Sequence, residues 1–292
     1  MSEQRNIDPS IFNEIKMPEP EKVKPEEKKE KPNVIDIINL RQIFNEGKPN
    51  EYRLFDNFSL SIPDFENTGQ FVSIMGASGC GKTCLLKAIS GLTKIPSGEI
   101  KIYGEDIKKC GNIPMVFQQY SSFDWFTVEF NVALPYIERG VKKKEALEKA
   151  REILKLVDLY EHRDKYAKAP ELSGGQLQRV SIARCIATDS QIILLDEATG
   201  ALDIKMKREV QNILLKIFYE SSYDPTILNV THSIEEAVYL SNRIIILKAK
   251  PCTIYKTIDI DFGSERRGPW LLETEEYQSK VKEITTILNE IC

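Results

Sequence analysis

Residues Gly76, Ala77, Ser78, Gly79, Cys80, Gly81, Lys82, Thr83 and Cys84 set three glycines, a lysine and a threonine in the spacing G-x-x-x-x-G-K-[ST]. Each residue type has a use at a phosphate. Gly76, Gly79 and Gly81 let backbone N–H groups curl around phosphate oxygens, and a helix beginning at the lysine points the positive end of its dipole at the same anion. Lys82 is then expected to meet the terminal phosphates of a nucleoside triphosphate, and the Thr83 hydroxyl to serve Mg²⁺, a hard cation that prefers oxygen. The whole run is expected to contact the nucleotide. Cys80, between two loop glycines, is expected to block the phosphates if it is alkylated.

A second chemical element is "IILLDEAT", in which four aliphatic residues run into Asp196 and Glu197. Asp196 suits a magnesium ligand, and Glu197 suits a general base that polarises an attacking water. Alone, the pair would read as the hydrated end of a buried strand; beside a phosphate loop, the catalytic reading is favoured. The chain has two histidines. His232 ends "TILNVTH", whereas His162, in the polar stretch "YEHRDKY", reads as a solvated surface residue.

These residues need a scaffold. "QFVSIM", "EIKIYG", "PMVFQ", "QIILLD", "TILNVTH" and "RIIILKA" are short and rich in β-branched residues, so they predict strands. Leu147, Ala150, Ile153, Leu154 and Val157 recur at helical spacing, as do Leu177, Val180, Ile182 and Ala183. Apolar strands alternating with helices predict an α/β sheet covered on both faces.

Composition narrows the class further. The 292 residues are 41% hydrophobic and carry a net charge of −4 from 40 basic and 44 acidic side chains, which gives no one-signed field for nucleic acid. No apolar run approaches the ~20 residues of a membrane span, and the N-terminus has no signal-like apolar core, so a cytoplasmic protein is expected. Six scattered cysteines without CxxC spacing suggest free thiols. Residues 17–33 are almost entirely Pro, Glu and Lys and read as a solvated tether, preceded by a short stretch that places Ile11, Phe12 and Ile15 on one helical face.

Between the phosphate loop and the acidic pair lies "LSGGQLQR", Leu172 to Arg179. The order "GASGCGKT", "VFQQY", "LSGGQ", "IILLDEATGALD" and "VTHS" resembles the nucleotide-binding subunit of ATP-binding cassette (ABC) transporters over residues 34 to about 262. The resemblance implies an α/β P-loop NTPase (RecA-like) core with an antiparallel β-subdomain and an inserted α-helical subdomain at about 119–183. A disordered charged extension (1–33) would precede that domain (34–262), and a helical tail (263–292) would follow it. ATP and Mg²⁺ are the implied cofactors.

The resemblance also implies that two such subunits, as a homodimer, sandwich ATP head to tail, so that Ser173, Gly174, Gly175 and Gln176 meet the γ-phosphate held by the partner. Gln118, ending the strand "PMVFQ", would reach Mg²⁺ and the attacking water. His232 would be the switch histidine, and Asp203 would knit the dimer. The implied catalytic set is Glu197, His232, Gln118 and Lys82; the implied metal set is Thr83, Gln118 and Asp196. Phe44 would stack on adenine, with Tyr52 as the alternative.

"VFQQYSSFDWFTVEFNVALP" and the segment after His232 are similar to the importer subunits for nitrate, sulfonates and taurine. This implies integral membrane permease partners, a solute-binding protein reached through the permease, and a peripheral position on the inner face of the cell membrane. Trp125 and Phe126 would either dock a permease helix or pack the helical subdomain. The chain reads "SGGQ" and "DEATGALD" where that branch usually has "SGGM" and "DEPFGALD", so direction and solute stay open. The alternative is a soluble cassette ATPase acting on a protein scaffold, such as one for iron–sulfur assembly.

Overall fold

The computed structural model describes residues 32–65, 68–111, 113–221, 224–263 and 267–291. The tether through residue 31 and the Ile11, Phe12 and Ile15 face lie outside the described residues.

The first strands, β1 (Ile35–Phe44) and β2 (Tyr52–Ile62), pair antiparallel. β3 (Gln70–Gly76) leads through the glycine loop into α1 (Lys82–Ile89). β4 (Ser97–Ile102) and β5 (Glu105–Asp106) then return to β1, closing a small sheet of order β2-β1-β4-β5. After α2 (Ile107–Cys110) and β6 (Met115–Val116) come three helices, α3 (Val128–Glu138), α4 (Lys143–Leu156) and α5 (Gly174–Ile186). The chain continues as β7 (Ile192–Asp196), α6 (Ile204–Glu220), β8 (Thr226–Val230), α7 (Ile234–Leu240), β9 (Arg243–Lys248), β10 (Thr253–Asp259) and α8 (Glu275–Ile291). The large sheet has the order β10-β9-β3-β8-β7-β6, parallel except for the β10 edge.

The two-residue strand period sorts apolar side chains onto two covered faces. Phe71, Met75, Ile193, Leu195, Ile227, Ile244 and Ile246 share one cluster with residues of α3 and α5 to α8. Val72, Ile74, Leu194, Leu228, Val230 and Ile245 share the other with α1 and the small sheet. Cover on both faces is what makes these strands read as continuous aliphatic runs.

The C-terminal segment is helical and adds to the same core through Tyr277, Ile284 and Ile287. Tyr277 Oη donates to the Glu235 carbonyl at 2.9 Å. The buried Arg267 guanidinium donates to the Val238 and Tyr239 carbonyls at the end of α7 and to the Ile260 carbonyl, cation to helix C-terminus. Among the described residues no helix is long and apolar enough to cross a membrane.

Candidate nucleotide site

β3 ends where the loop turns into α1. Gly81 holds φ at +101°, and a Cβ there would stand 2.9 Å from Leu54 Cδ1 and 3.0 Å from Phe55 Cζ, so only glycine allows the turn so close to β2. No side chain caps α1, leaving its first N–H groups for an anion. Lys82 is 8% exposed and folds back over the loop, donating from Nζ to the carbonyls of Gly76 at 2.8 Å and Ala77 at 3.1 Å.

Phe44, Tyr52, Leu54, Ser78, Gly79, the Gly81–Cys84 run and Glu197 line a cleft of about 400 Å³. The Phe44 and Tyr52 rings stack, with centroids 6.4 Å apart and planes 23° apart. Tyr52 Oη donates to the Gly79 carbonyl at 2.8 Å, which commits that ring to the loop, whereas Phe44 stays 44% exposed. A larger cleft, about 610 Å³, is lined by Asp261, Glu275, Glu276 and Glu283 with Lys280 as its one cation, a net-negative set that repels phosphate.

Cys80 departs from expectation. Its side chain is 1% exposed, and Sγ lies 3.8 Å from Lys82 Nζ and 3.0 Å from where a Cβ on Gly76 would stand. The loop turns this thiol inward, into the cluster that also holds Cys252, so alkylation is not expected to reach it in the folded protein. Only its backbone is left to face a phosphate.

Asp196, at the end of β7, is 7% exposed and accepts from Thr83 Oγ1 at 3.0 Å. Burial pushes its carboxyl above the ordinary range, and the Thr83 hydrogen bond opposes that shift. A hydroxyl beside a desolvated carboxylate suits Mg²⁺, whose arrival would offset the burial cost. Among the described residues no group of three His, Cys, Asp or Glu side chains is placed to hold a metal.

Glu197 follows directly, with φ at +48°, its N–H donating to the Val230 carbonyl at 2.9 Å and its carbonyl accepting from Gly200 N at 2.9 Å. His232 Nδ1 stands 3.3 Å from Glu197 Oε2. Gln118 does not end a strand. β6, an edge strand paired with β7, stops at Val116, and the Phe117 carbonyl accepts from Gln178 Nε2 at 3.1 Å instead of continuing the ladder. Gln118 is exposed, and its Nε2 lies 3.6 Å from where a Cβ on Gly200 would stand, beside the turn after Glu197.

Ser173, Gly174, Gly175 and Gln176 line none of this cleft. They form the start of α5, where Ser173 Oγ accepts from Gln176 N at 3.3 Å and Gln176 Oε1 accepts from Ser173 N at 2.9 Å, a reciprocal cap. Gln176 Nε2 sits 3.0 Å from His162 Nε2, so the Gln176 amide is engaged at both ends. His162 is therefore not the solvated residue expected from its polar neighbours: it packs against the cap, and its Nδ1 is buried without a partner. A Cβ on Gly175 would meet Met206 of α6 at 3.0 to 3.2 Å. Asp203 caps α6 by accepting from Met206 N at 2.9 Å.

Trp125 is 65% exposed, whereas the Phe126 ring packs 4.6 Å from Phe130. Buried Asn131 holds their turn: its Oδ1 accepts from Phe123 N, and its Nδ2 donates to the carbonyls of Phe123, Phe126 and Thr127.

The ABC transporter family model matches residues 55–200, from within β2 through the glycine loop and the start of α5 to the turn after Glu197. The chain belongs to the ABC transporter family. It is 39% identical over 249 residues to an uncharacterized ABC transporter ATP-binding protein of Methanocaldococcus jannaschii, covering 85% of this chain and 90% of that one. It is 43% identical to the aliphatic sulfonates import ATP-binding protein of Bacillus cereus over 65% of this chain and 74% of that one. A solved dimeric, post-hydrolysis ATP-binding cassette bound to ADP and Pi superimposes with a TM-score of 0.66 at 32% identity, covering 78% of this chain and all of that one. This ABC chain accordingly has the P-loop ATPase fold and is an ATP-dependent transport ATPase subunit.

Glu236 went unnoticed in the sequence. "HSIEEA" reads as a capped helix start, where a glutamate three residues past a serine is ordinarily solvent-facing, yet Glu236 is 2% exposed.

Proposed function

We propose that this ABC chain powers an importer of small oxoanionic solutes of the nitrate, sulfonate and taurine type, with Glu197 as the general base for ATP hydrolysis. The observation that carries the catalytic part is the 3.3 Å contact between His232 Nδ1 and Glu197 Oε2, beside the Thr83–Asp196 pair and the Lys82 loop. Lys82 and the Gly76–Cys84 backbone bind and neutralise the phosphates, and Phe44 offers its free face to adenine. Thr83, Asp196 and Gln118 would hold Mg²⁺. Magnesium, when bound, supplies charge neutralisation on the phosphoryl oxygens. Glu197 accepts a proton from the attacking water, and His232 orients the Glu197 carboxylate.

A second copy completes the site: Ser173, Gly174 and Gly175, absent from the cleft of their own chain, serve the partner's nucleotide, with Gln176 holding the cap in shape. The ATPase domain spans 34–262, with 1–33 as a charged extension. The importer reading is supported by the sulfonate-import relative and by the exposed Trp125, which suits a permease helix. The chain would then lie peripherally on the inner face of the membrane, with a solute-binding protein reached through the permease.

The test uses Glu197→Gln and Lys82→Ala. Glu197→Gln should bind ATP, form a stable dimer and lose at least roughly a hundredfold in turnover; Lys82→Ala should lose ATP affinity. Glu197→Gln plus ATP, used as bait on detergent-solubilised membranes, should retain a multi-span protein identified by mass spectrometry. Normal hydrolysis by Glu197→Gln would sink the base assignment, and recovery of soluble scaffold proteins alone would sink the importer reading.

A further inference from the structure

Glu236, on α7, has a partner at each carboxylate oxygen. Oε2 accepts from Thr199 Oγ1 and from Gln211 Nε2 at 3.0 Å, and it stands 3.4 Å from the Lys207 ammonium. Oε1 accepts from Asn229 Nδ2 at 3.3 Å. These partners arise from three segments. Thr199 belongs to the turn that carries Glu197, Lys207 and Gln211 to α6, and Asn229 to β8, whose exit carries His232.

Burying a carboxylate is costly even when it is paired, and an apolar side chain of similar volume would fill the space without that cost. What an apolar residue could not do is fix the turn after Glu197 against the helix after His232. That turn needs fixing: Glu197 holds a φ of +48°, a conformation that a non-glycine residue keeps only when its surroundings over-determine it.

We infer that Glu236 is a positioning residue for hydrolysis, holding the Glu197 turn and the His232 loop in the register that brings His232 Nδ1 to Glu197 Oε2. The inference rests on the reading of Glu197 as general base. Glu236 lines neither the nucleotide cleft nor the phosphate loop, so its loss should reach turnover and leave ATP binding in place.

The experiment takes the full chain with Glu236→Gln and Thr199→Val, each alone and combined with His232→Ala. Single-turnover hydrolysis, equilibrium ATP affinity and melting midpoint are measured. Glu236→Gln keeps the volume but turns an NH₂ group toward donors, and each single variant should slow hydrolysis by roughly tenfold to a hundredfold, while ATP affinity stays within about twofold. In the His232→Ala background the same substitutions should cost less than about threefold, because the geometry they protect is already lost.

Effects that multiply fully with His232→Ala, or an ATP affinity that falls in step with turnover, would overturn the inference. Thr199→Val removes one hydroxyl and leaves the other Glu236 partners in place, so it gives the same reading if Glu236→Gln does not fold. An active Glu197→Gln would mark failure of the general-base assignment; full multiplicativity beside an inactive Glu197→Gln would mark failure of the positioning role alone.

Discussion

Thr83 Oγ1 donates to Asp196 Oδ1 across 3.0 Å, joining the first turn of α1 to the end of β7. The carboxylate is almost fully buried, and desolvation raises its pKa against the opposing Thr83 hydrogen bond, so keeping it ionised costs stability. Asp196→Asn keeps an acceptor for Thr83 and removes the charge. Its melting midpoint without nucleotide should rise by roughly 2 °C, and the further rise that Mg²⁺ with ATP gives the unsubstituted protein should disappear. Differential scanning calorimetry with and without Mg·ATP reads both.

Phe44 and Tyr52 stack, but only Tyr52 is tied to the loop. Phe44→Ala should weaken ATP binding by roughly twofold to tenfold without changing the melting midpoint appreciably. Tyr52→Phe should retain ATP affinity and lose about 1 kcal/mol of stability through the missing bond to Gly79. A titration showing the reverse pattern would make Tyr52 the adenine platform.

His162 gives the cap of α5 a pH dependence. Burial holds its pKa below the ordinary value, with the Lys165 and Arg179 charges adding to the shift and Glu161 opposing it. A pKa lower in the folded than in the unfolded state means that the fold prefers the neutral ring. That contribution is fully present above the unfolded value of about 6.5 and is lost as pH falls through the folded value. Protonation also places an N–H against the Gln176 amide donor. The melting midpoint should therefore drop more steeply between pH 7 and pH 5 than in His162→Asn; parallel pH profiles for the two proteins would refute this.

Gly175 lies against Met206, so the start of α5 is in contact with α6. Gly175→Ala should destabilise the protein by about 1–3 kcal/mol through overpacking, and Met206→Ala should restore much of that loss in the double variant. Urea denaturation of the four proteins measures the coupling.

Thiol labelling should follow burial. Cys110 is exposed and Cys84 half-buried, whereas Cys80, Cys185 and Cys252 are enclosed, with burial pushing the latter two thiols up to about 12. Among the cysteines described, iodoacetamide on the native protein, mapped by mass spectrometry, should modify Cys110 first and spare Cys80, with or without ATP.

The site was legible in the sequence where a residue's role is local. Asp196 ends and Glu197 follows a strand whose aliphatic run comes from burial on both faces, while Lys82 and Thr83 open the helix that the glycine loop joins to another such strand. The strand end at Gln118 was misjudged because "PMVFQ" has the composition of a strand, while the Phe117 carbonyl turns to the Gln178 side chain, a tertiary contact that composition does not reveal. His162 and Glu236 were missed for a related reason. Polar residues in polar surroundings look solvated, and only the tertiary arrangement brings Gln176 onto one and Thr199, Gln211 and Asn229 onto the other. Cys80 shows the converse, since its position in the loop is plain from sequence but the direction of its side chain is not.

Asn131 spends its whole amide on Phe123, Phe126 and Thr127, and it sits in the first turn of α3. The turn bearing Trp125 is therefore laced to the first turn of α3 on both sides of the indole, so the turn cannot shift away from the helix without breaking those bonds.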